Sequence, residues 1–323
     1  MFDWKSLPRP IYGLSPMADL TDSPFCLICK EHGAPVIFRE MVSSEAIVRR
    51  NEKTLRMAQF DERERPIIQQ IFGSDPKIMA HAAKMIEERF HPDGIDINMG
   101  CPVYHLVSHF NGASLIKDPE RAAEIVRAVK AVVSVPVSVK TRLGWSSDNG
   151  CLMFVKVLEE AGADMICVHA RTKVQGYAGK ANWKKAGEAR RIVPDLPFLV
   201  NGDVTDAASA KQALEESGAD GCLIGRGALG NPWIFEELRA ANSPCPLFPK
   251  ERVLMEERIE TVKKHARLHV EHFGEAGLVR LRKHLPWYFK GMPNVKEIRS
   301  ELVHVSTLKD LDRALDRFSS QKN

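Results

Sequence analysis

A cysteine held at the end of an apolar strand can act as a nucleophile, a metal ligand or a proton donor. Cys101 is so placed, near the end of the stretch Gly94–Pro102, GIDINMGCP. Ile95 and Ile97 alternate there with Asp96 and Asn98. Gly100 permits a tight bend and Pro102 blocks further ladder pairing. The thiol therefore belongs at a strand tip. Other reactive or binding side chains also follow apolar runs: Lys140 after VPVSV, His169 after Ile166, Cys167 and Val168, Asn201-Gly202-Asp203 after Phe198–Val200, and Gly225-Arg226-Gly227 after Gly221–Ile224.

The elements that must position them alternate. Short β-branched runs fall at Ile11–Ala18, Val36–Val42, Ile67–Phe72, Ile95–Asn98, Val137–Lys140, Met165–His169, Phe198–Asn201 and Gly221–Gly225, with a helical pattern after each. Asp75-Pro76 and Asp118-Pro119 open two of those helices, with Pro in the first turn. Eight strand–helix pairs in about 230 residues predict an α/β protein, a (β/α)8 TIM barrel. An open doubly wound sheet is the alternative, but no Gly-x-Gly-x-x-Gly follows the first strand. Ala241–Lys250 carries three prolines and reads as a break. All later patterns are helical, at about 252–273, 278–289, 295–303 and 308–318. Leu278, Leu281 and Leu285 keep the spacing of one helix face.

In such a barrel the site lies at the C-terminal ends of the strands. The expected ring is Ser15, Pro16, Met17 and Ala18, then Gln70, then Asn98 to Cys101, Lys140 to Arg142, His169 to Arg171, Asn201 to Asp203, and Gly225 to Gly227. Loops after the last two strands commonly hold phosphate. The glycines expose backbone N–H groups there, and Arg226 can pair with an anion. Carboxylate clusters at metal spacing are lacking. Cys26-x-x-Cys29 is a single pair within a helical pattern and does not make a zinc motif. The set suits a phosphate-bearing organic cofactor, and no metal is expected. Lys140 beside a flavin's pyrimidine edge would stabilise negative charge on the reduced ring.

Composition narrows the class. The chain has 323 residues, 44% hydrophobic and 27% charged, with net charge +4, ordinary values for a globular protein. Seven scattered cysteines make no disulfide framework and fit a reducing, cytoplasmic compartment. The N-terminus has no apolar core for a signal peptide, and no run suits a membrane span.

These residues resemble the tRNA-dihydrouridine synthases of bacterial type. The resemblance runs from about Leu14 to Val303, through SPMADLTDSPF, DINMGCP, VKTRLGW, VHART, NGDV, IGRGALGNPWIF and RLRKHLPWYFKG. It implies an FMN-bearing barrel and a C-terminal helical domain. Pro16, Met17 and Ala18 would line the flavin ring. Gln70 and Lys140 would bond its polar edge, and His169 would also touch it. Asn201, Gly202, Asp203, Gly225 and Arg226 would hold the phosphate. The implied reaction reduces the C5–C6 double bond of specific uridines in tRNA, with NADPH (or NADH) as donor. Hydride goes from flavin N5 to C6, and Cys101 protonates C5. Where the family often carries basic residues after Cys-Pro, this chain has Val103, Tyr104 and His105, and later His109.

The expected division is an FMN-binding catalytic barrel over 1–241, a linker over 242–250 and a helical RNA-binding domain over 251–323. From Lys263 to Arg299 nine basic residues face three acidic ones, with His265, His269, His272 and His284 among them. Trp287, Tyr288 and Phe289 interleave with that charge, which suits phosphate contact and stacking. The candidate RNA contacts are Asn98, Arg142, Arg171, Arg280, Arg282, Lys283 and Lys290. A monomer is expected. The alternatives are a flavin barrel acting on a free pyrimidine or other small molecule, a dihydrouridine synthase acting on ribosomal RNA, and a non-catalytic RNA-binding module.

Overall fold

The computed structural model describes residues 2–241, 253–292 and 295–320. The expected linker at 242–250 and Cys245 lie outside them. Eight parallel strands close in sequence order: β1 (Ile11–Leu14), β2 (Ile37–Ser43), β3 (Ile67–Phe72), β4 (Gly94–Met99), β5 (Val137–Arg142), β6 (Met165–His169), β7 (Phe198–Asn201) and β8 (Gly221–Ile224). Strand β8 pairs back onto β1, Ile11 against Gly221 and Leu14 against Ile224. The closed barrel replaces the open-sheet alternative. Strand β1 ends at Leu14; Ser15 N–H still donates to the Ile224 carbonyl at 2.8 Å, and Pro16–Ala18 then turn into the mouth.

The helices are α1 (Ser23–Glu31), α2 (Ser44–Val48), α3 (Glu52–Met57), α4 (Pro76–Phe90), α5 (Tyr104–Val107), α6 (Pro119–Lys130), α7 (Gly150–Glu160), α8 (Trp183–Ile192), α9 (Ala207–Ser217) and α10 (Ile234–Ala241). Asp75 and Asp118 cap α4 and α6 through their carboxylates, with Pro in each first turn as expected.

Strand parity sets what the barrel holds. Alternate side chains point inward. Ile68, Met165, Cys167, Leu199 and Leu223 pack with Trp4, Val36 and Phe38 into an apolar plug at the lower end. Trp4 stacks on Phe38 at 5.7 Å between centroids and closes it. Two residues further along those strands, the inward positions turn polar: Gln70 after Ile68, His169 after Cys167, Asn201 after Leu199. Asn98 and Lys140 follow Asp96 and Ser138 on the same parity. The register places Gln70 beside Asp96, Asn98 beside Lys140, and His169 beside Asn201. A slip of one residue would send this whole set outward.

The C-terminal helices are α11 (Met255–Phe273), α12 (Gly277–Leu281), α13 (Leu285–Tyr288), α14 (Lys296–Leu302) and α15 (Leu308–Ser320). They share a core of Val262, Leu278, Leu281, Leu285, Phe289, Ile298, Leu302, Leu315 and Phe318, which Trp233 joins from the barrel side. The continuous helix expected over 278–289 is two short ones. Pro286 has no N–H to give a preceding carbonyl, so the chain turns through Arg282–His284 before α13. Helix α11 packs on α1, with Leu268 against Leu27 and Ile28.

Candidate active site

A cavity of about 680 Å³ opens at the C-terminal ends of the strands, within the range of small-molecule sites. Pro16, Met17, Ala18, Gln70, Lys140, His169, Asn201, Gly202, Asp203, Gly225 and Arg226 all line it, and so does Cys101. Every residue expected to hold a cofactor is therefore brought together.

A hydrogen-bonded chain organises the side carrying Cys101. Asn98 Oδ1 accepts the backbone N–H groups of Gly100 at 3.1 Å and Cys101 at 2.9 Å. Its amide donates to Gln70 Oε1 at 2.8 Å. Gln70 Nε2 donates to Asp96 Oδ2 at 2.5 Å, and Ser138 Oγ to Asp96 Oδ1 at 2.6 Å. The turn after β4 is thus tied to the floor of the cavity. Gly100 lies against Thr141, where a Cβ would come within 3.1 Å of backbone carbon. Gly112, at φ +59°, lets the following loop fold back against Cys101. Cys101 is half-buried, and burial raises its thiol above the ordinary value, opposed by a bond from Val103 N–H and by the charges of Arg142 and Lys140. The raised thiol stays protonated and can donate.

Lys140 donates to Asn201 Oδ1 at 3.1 Å. Among the described residues its ammonium forms no ion pair with a carboxylate, and desolvation lowers its pKa. A desolvated cation without a paired anion favours an electron-rich or anionic occupant. Asp96 beneath is fully buried, and desolvation raises it to about 6. His169 is held well below its usual value by burial, then by Lys140, Arg142, Arg171 and Arg226, so it is a neutral ring.

On the opposite side, Gly202 sits at φ +120°, and a Cβ there would lie 2.9 Å from His169 Cδ2. Asp203 accepts from Arg171 Nη2 and from the Ala181 N–H, and lies 3.6 Å from Arg226 Nη2. Arg226 is about half exposed, at 51%, and rests over the Tyr177 ring at 4.8 Å. It remains available to an incoming anion.

The expected RNA contacts divide. Asn98, Arg142 and Lys290 line the cavity. Arg142, however, bonds the carbonyls of Gly100, Thr172 and Gly176. Arg171 is not free for RNA: it is buried, bonds the Ala178 and Gly179 carbonyls, and pairs with Asp203 at 2.6 Å. Arg282 is similarly turned inward, to the carbonyls of His304 and Val305 and to Ser306. Lys283 is half-buried beside Asp22, and Arg280 lies over Phe273 at 4.5 Å. The basic excess counted over 263–299 is also partly neutralised. Lys264 pairs with Glu31 at 2.7 Å, and Lys263 approaches Asp312 and Asp316 on α15. His265, His269 and His284 are fully buried rather than on an RNA-facing surface.

Two lining residues escaped the strand-tip reading. Tyr177 enters on the loop after β6, and Trp287 enters from α13 beside Lys290. The C-terminal helices therefore contribute to the cavity wall. Val103 and Tyr104, which follow Cys101-Pro102, are exposed at 54% and 82%.

A family model described as dihydrouridine synthase matches residues 13–323. The chain belongs to the dihydrouridine synthase family. Among its relatives, a probable tRNA-dihydrouridine synthase of Rickettsia bellii is 35% identical over 295 residues, spanning 88% of this chain and 87% of the relative. One of Mycobacterium leprae is 36% identical, over 94% of this chain and 87% of the relative. One of Aquifex aeolicus is 33% identical, over 96% of both. In this family member the barrel also resembles the solved structure of a 2-naphthoyl-CoA reductase complex, with a TM-score of 0.55 at 10% identity. That match covers 74% of this chain and 49% of the reductase chain, and it concerns the fold. No helix among the described residues is long and apolar enough to cross a membrane.

Proposed function

We propose that this dihydrouridine synthase reduces the C5–C6 double bond of specific uridines in tRNA, with FMN as cofactor and NADPH as electron donor. The observation that carries the reading is the shared cavity. It sets the Cys101 thiol beside a desolvated Lys140 and a glycine-lined anion cradle. Asn201, Gly202, Asp203, Gly225 and Arg226 would hold the cofactor phosphate. Gln70 and Lys140 would bond the ring's polar edge, and Pro16, Met17 and Ala18 would pack on the ring beside His169. The fit rests on the absence of side chains at Gly202 and Gly225 and on the unpaired ammonium. FMN held by these residues would supply hydride chemistry at the uracil C5–C6 bond.

The chain's own residues do the rest. Cys101 Sγ gives its proton to C5, and Asn98 fixes the turn that aims the thiol. Lys140 opposes negative charge that develops at the cofactor edge. The target base must leave its stack to reach the cavity. Lys290 and Trp287 at the rim meet the flanking backbone and bases. In this scheme catalysis belongs to the barrel within 1–241 and RNA binding to the helices within 251–323.

The test is reconstitution. Purified protein with NADPH and an unmodified tRNA transcript should yield dihydrouridine by mass spectrometry, with a flavin absorption spectrum. Turnover of free uridine or an enone at equal efficiency without RNA, or colourless protein that cannot take up FMN, would refute it.

A further inference from the structure

Where the barrel meets the C-terminal helices, four ligand-bearing side chains converge. Asp22 caps α1 just after β1. His265 and His269 stand four apart on α11, and His284 precedes α13. One ligand atom from each lies within 4.8 Å of all the others. The three histidines are fully buried and Asp22 is 4% exposed. None of the four lines the cavity at the barrel mouth.

The nitrogens are short of partners. Both ring nitrogens of His269 and of His284, and Nε2 of His265, are buried without a hydrogen bond. Leaving such groups unsatisfied is costly. His265 Nδ1 meets Tyr288 Oη at 3.0 Å. The backbones of Gly277 and Leu20 approach His269 and His284 without completing a hydrogen bond. The Tyr288 bond to His265 is the usual second contact of a ligating imidazole, one nitrogen oriented by an oxygen and the other left for a metal. His269 Nε2 is 3.6 Å from Asp22 Oδ2, close to the edge of about 3.4 Å for a tetrahedron of 2.0–2.1 Å bonds.

We propose that Asp22, His265, His269 and His284 bind one divalent zinc-type ion that staples the C-terminal helices to the barrel. Three neutral imidazoles and one carboxylate make a closed four-ligand set, the pattern of a structural zinc site. Lys283, Arg280 and Arg39 act on Asp22 and oppose a dication, and Glu40 adds negative charge near Arg39. Four inner ligands must outweigh those charges. Cys26 and Cys29, fully buried in α1, take no part. His265 and His269 share one helix face, but Asp22 comes from the opposite end of the chain. The cluster thus completes only on docking, and metal binding would favour the docked arrangement.

Full-length protein is stripped with EDTA, reloaded with Zn²⁺ alone, gel-filtered and assayed by elemental mass spectrometry. One zinc per chain is expected, with X-ray absorption showing nitrogen and oxygen neighbours and no sulfur. Zinc at about 100 times its Kd should raise the melting temperature by about 4 °C. Asp22→Asn and His284→Gln should each lower zinc affinity at least tenfold, and Cys26→Ser should leave it unchanged. Reloaded wild-type protein without zinc and without a melting shift would overturn the proposal, whatever the variants do. So would sulfur in the coordination shell, or zinc that follows Cys26.

Discussion

Asn98 Oδ1 accepts the backbone N–H of Cys101 at 2.9 Å, so the thiol's position is set by a side chain three residues upstream on the same strand end. The same amide grips Gln70. The proposed acid and the proposed ring-edge contact are therefore coupled through one residue. Asn98→Ala should lower uridine reduction about tenfold or more by letting the turn drift, with flavin still bound. Titrating FMN into the variant and measuring turnover checks this; unchanged turnover would contradict the positioning role.

Cys101→Ala removes only the proposed acid. Reduction should fall by roughly 10²–10⁴, the usual contribution of general acid catalysis, with flavin absorbance unchanged. In the wild type the thiol must be protonated, and burial raises its pKa above the ordinary thiol value. Activity from this group should therefore persist through neutral pH and fall only on an alkaline limb above that value. A single-turnover pH profile locates the limb; loss of activity below pH 8 that tracks Cys101 would contradict it.

Gly202→Ala adds a Cβ at φ +120° and 2.9 Å from His169. Strain of about 1–3 kcal/mol is expected. FMN affinity should fall with stability, read by fluorescence titration and by melting. An Ala variant that binds FMN normally would show that the cradle has slack.

Asp96 makes stability fall as pH rises. Burial raises its pKa from 3.8 to about 6, so the folded chain holds a proton that the unfolded chain releases. Stability is fully present below the unfolded value and declines between about 4 and 6, by roughly 2–3 kcal/mol. Above that it is level. Unfolding of wild type against Asp96→Asn across this window, without added cofactor, tests the sign. A difference that does not change with pH would refute the buried acid.

Lys290 and Arg171 should separate RNA binding from folding. Lys290→Ala should reduce the salt slope of tRNA affinity by about 0.7–0.9, one phosphate's worth. Arg171→Ala should leave that slope alone but destabilise the chain by about 1–3 kcal/mol, because Asp203 and the Ala178 and Gly179 carbonyls lose a buried donor. Filter binding at several salt concentrations and denaturant unfolding distinguish the two.

The barrel and its mouth were legible because β/α alternation and strand parity are local patterns. Gln70, Lys140, His169 and Asn201 all follow from counting along one strand. Side-chain direction beyond a strand tip was not legible. Arg171 sits one residue past Ala170 and reads like any basic tip, yet loop carbonyls and Asp203 draw it inward. Charge counting along 263–299 could not reveal that α15 carries compensating acids. Nor could it reveal that three of the four histidines face the barrel. The four-residue spacing of His265 and His269 was the available signal, but Asp22 is joined to them only by folding. Tyr177 enters from a loop with Gly176 and Gly179 at positive φ, which no strand pattern announces.

This barrel is proposed to reduce uridines within tRNA. The most direct measurement is a position-resolved dihydrouridine map of tRNA from cells with and without the gene. Loss of dihydrouridine at defined tRNA positions, restored by the wild-type gene and not by Cys101→Ala, is the predicted result. An identical map in the two strains would contradict the account.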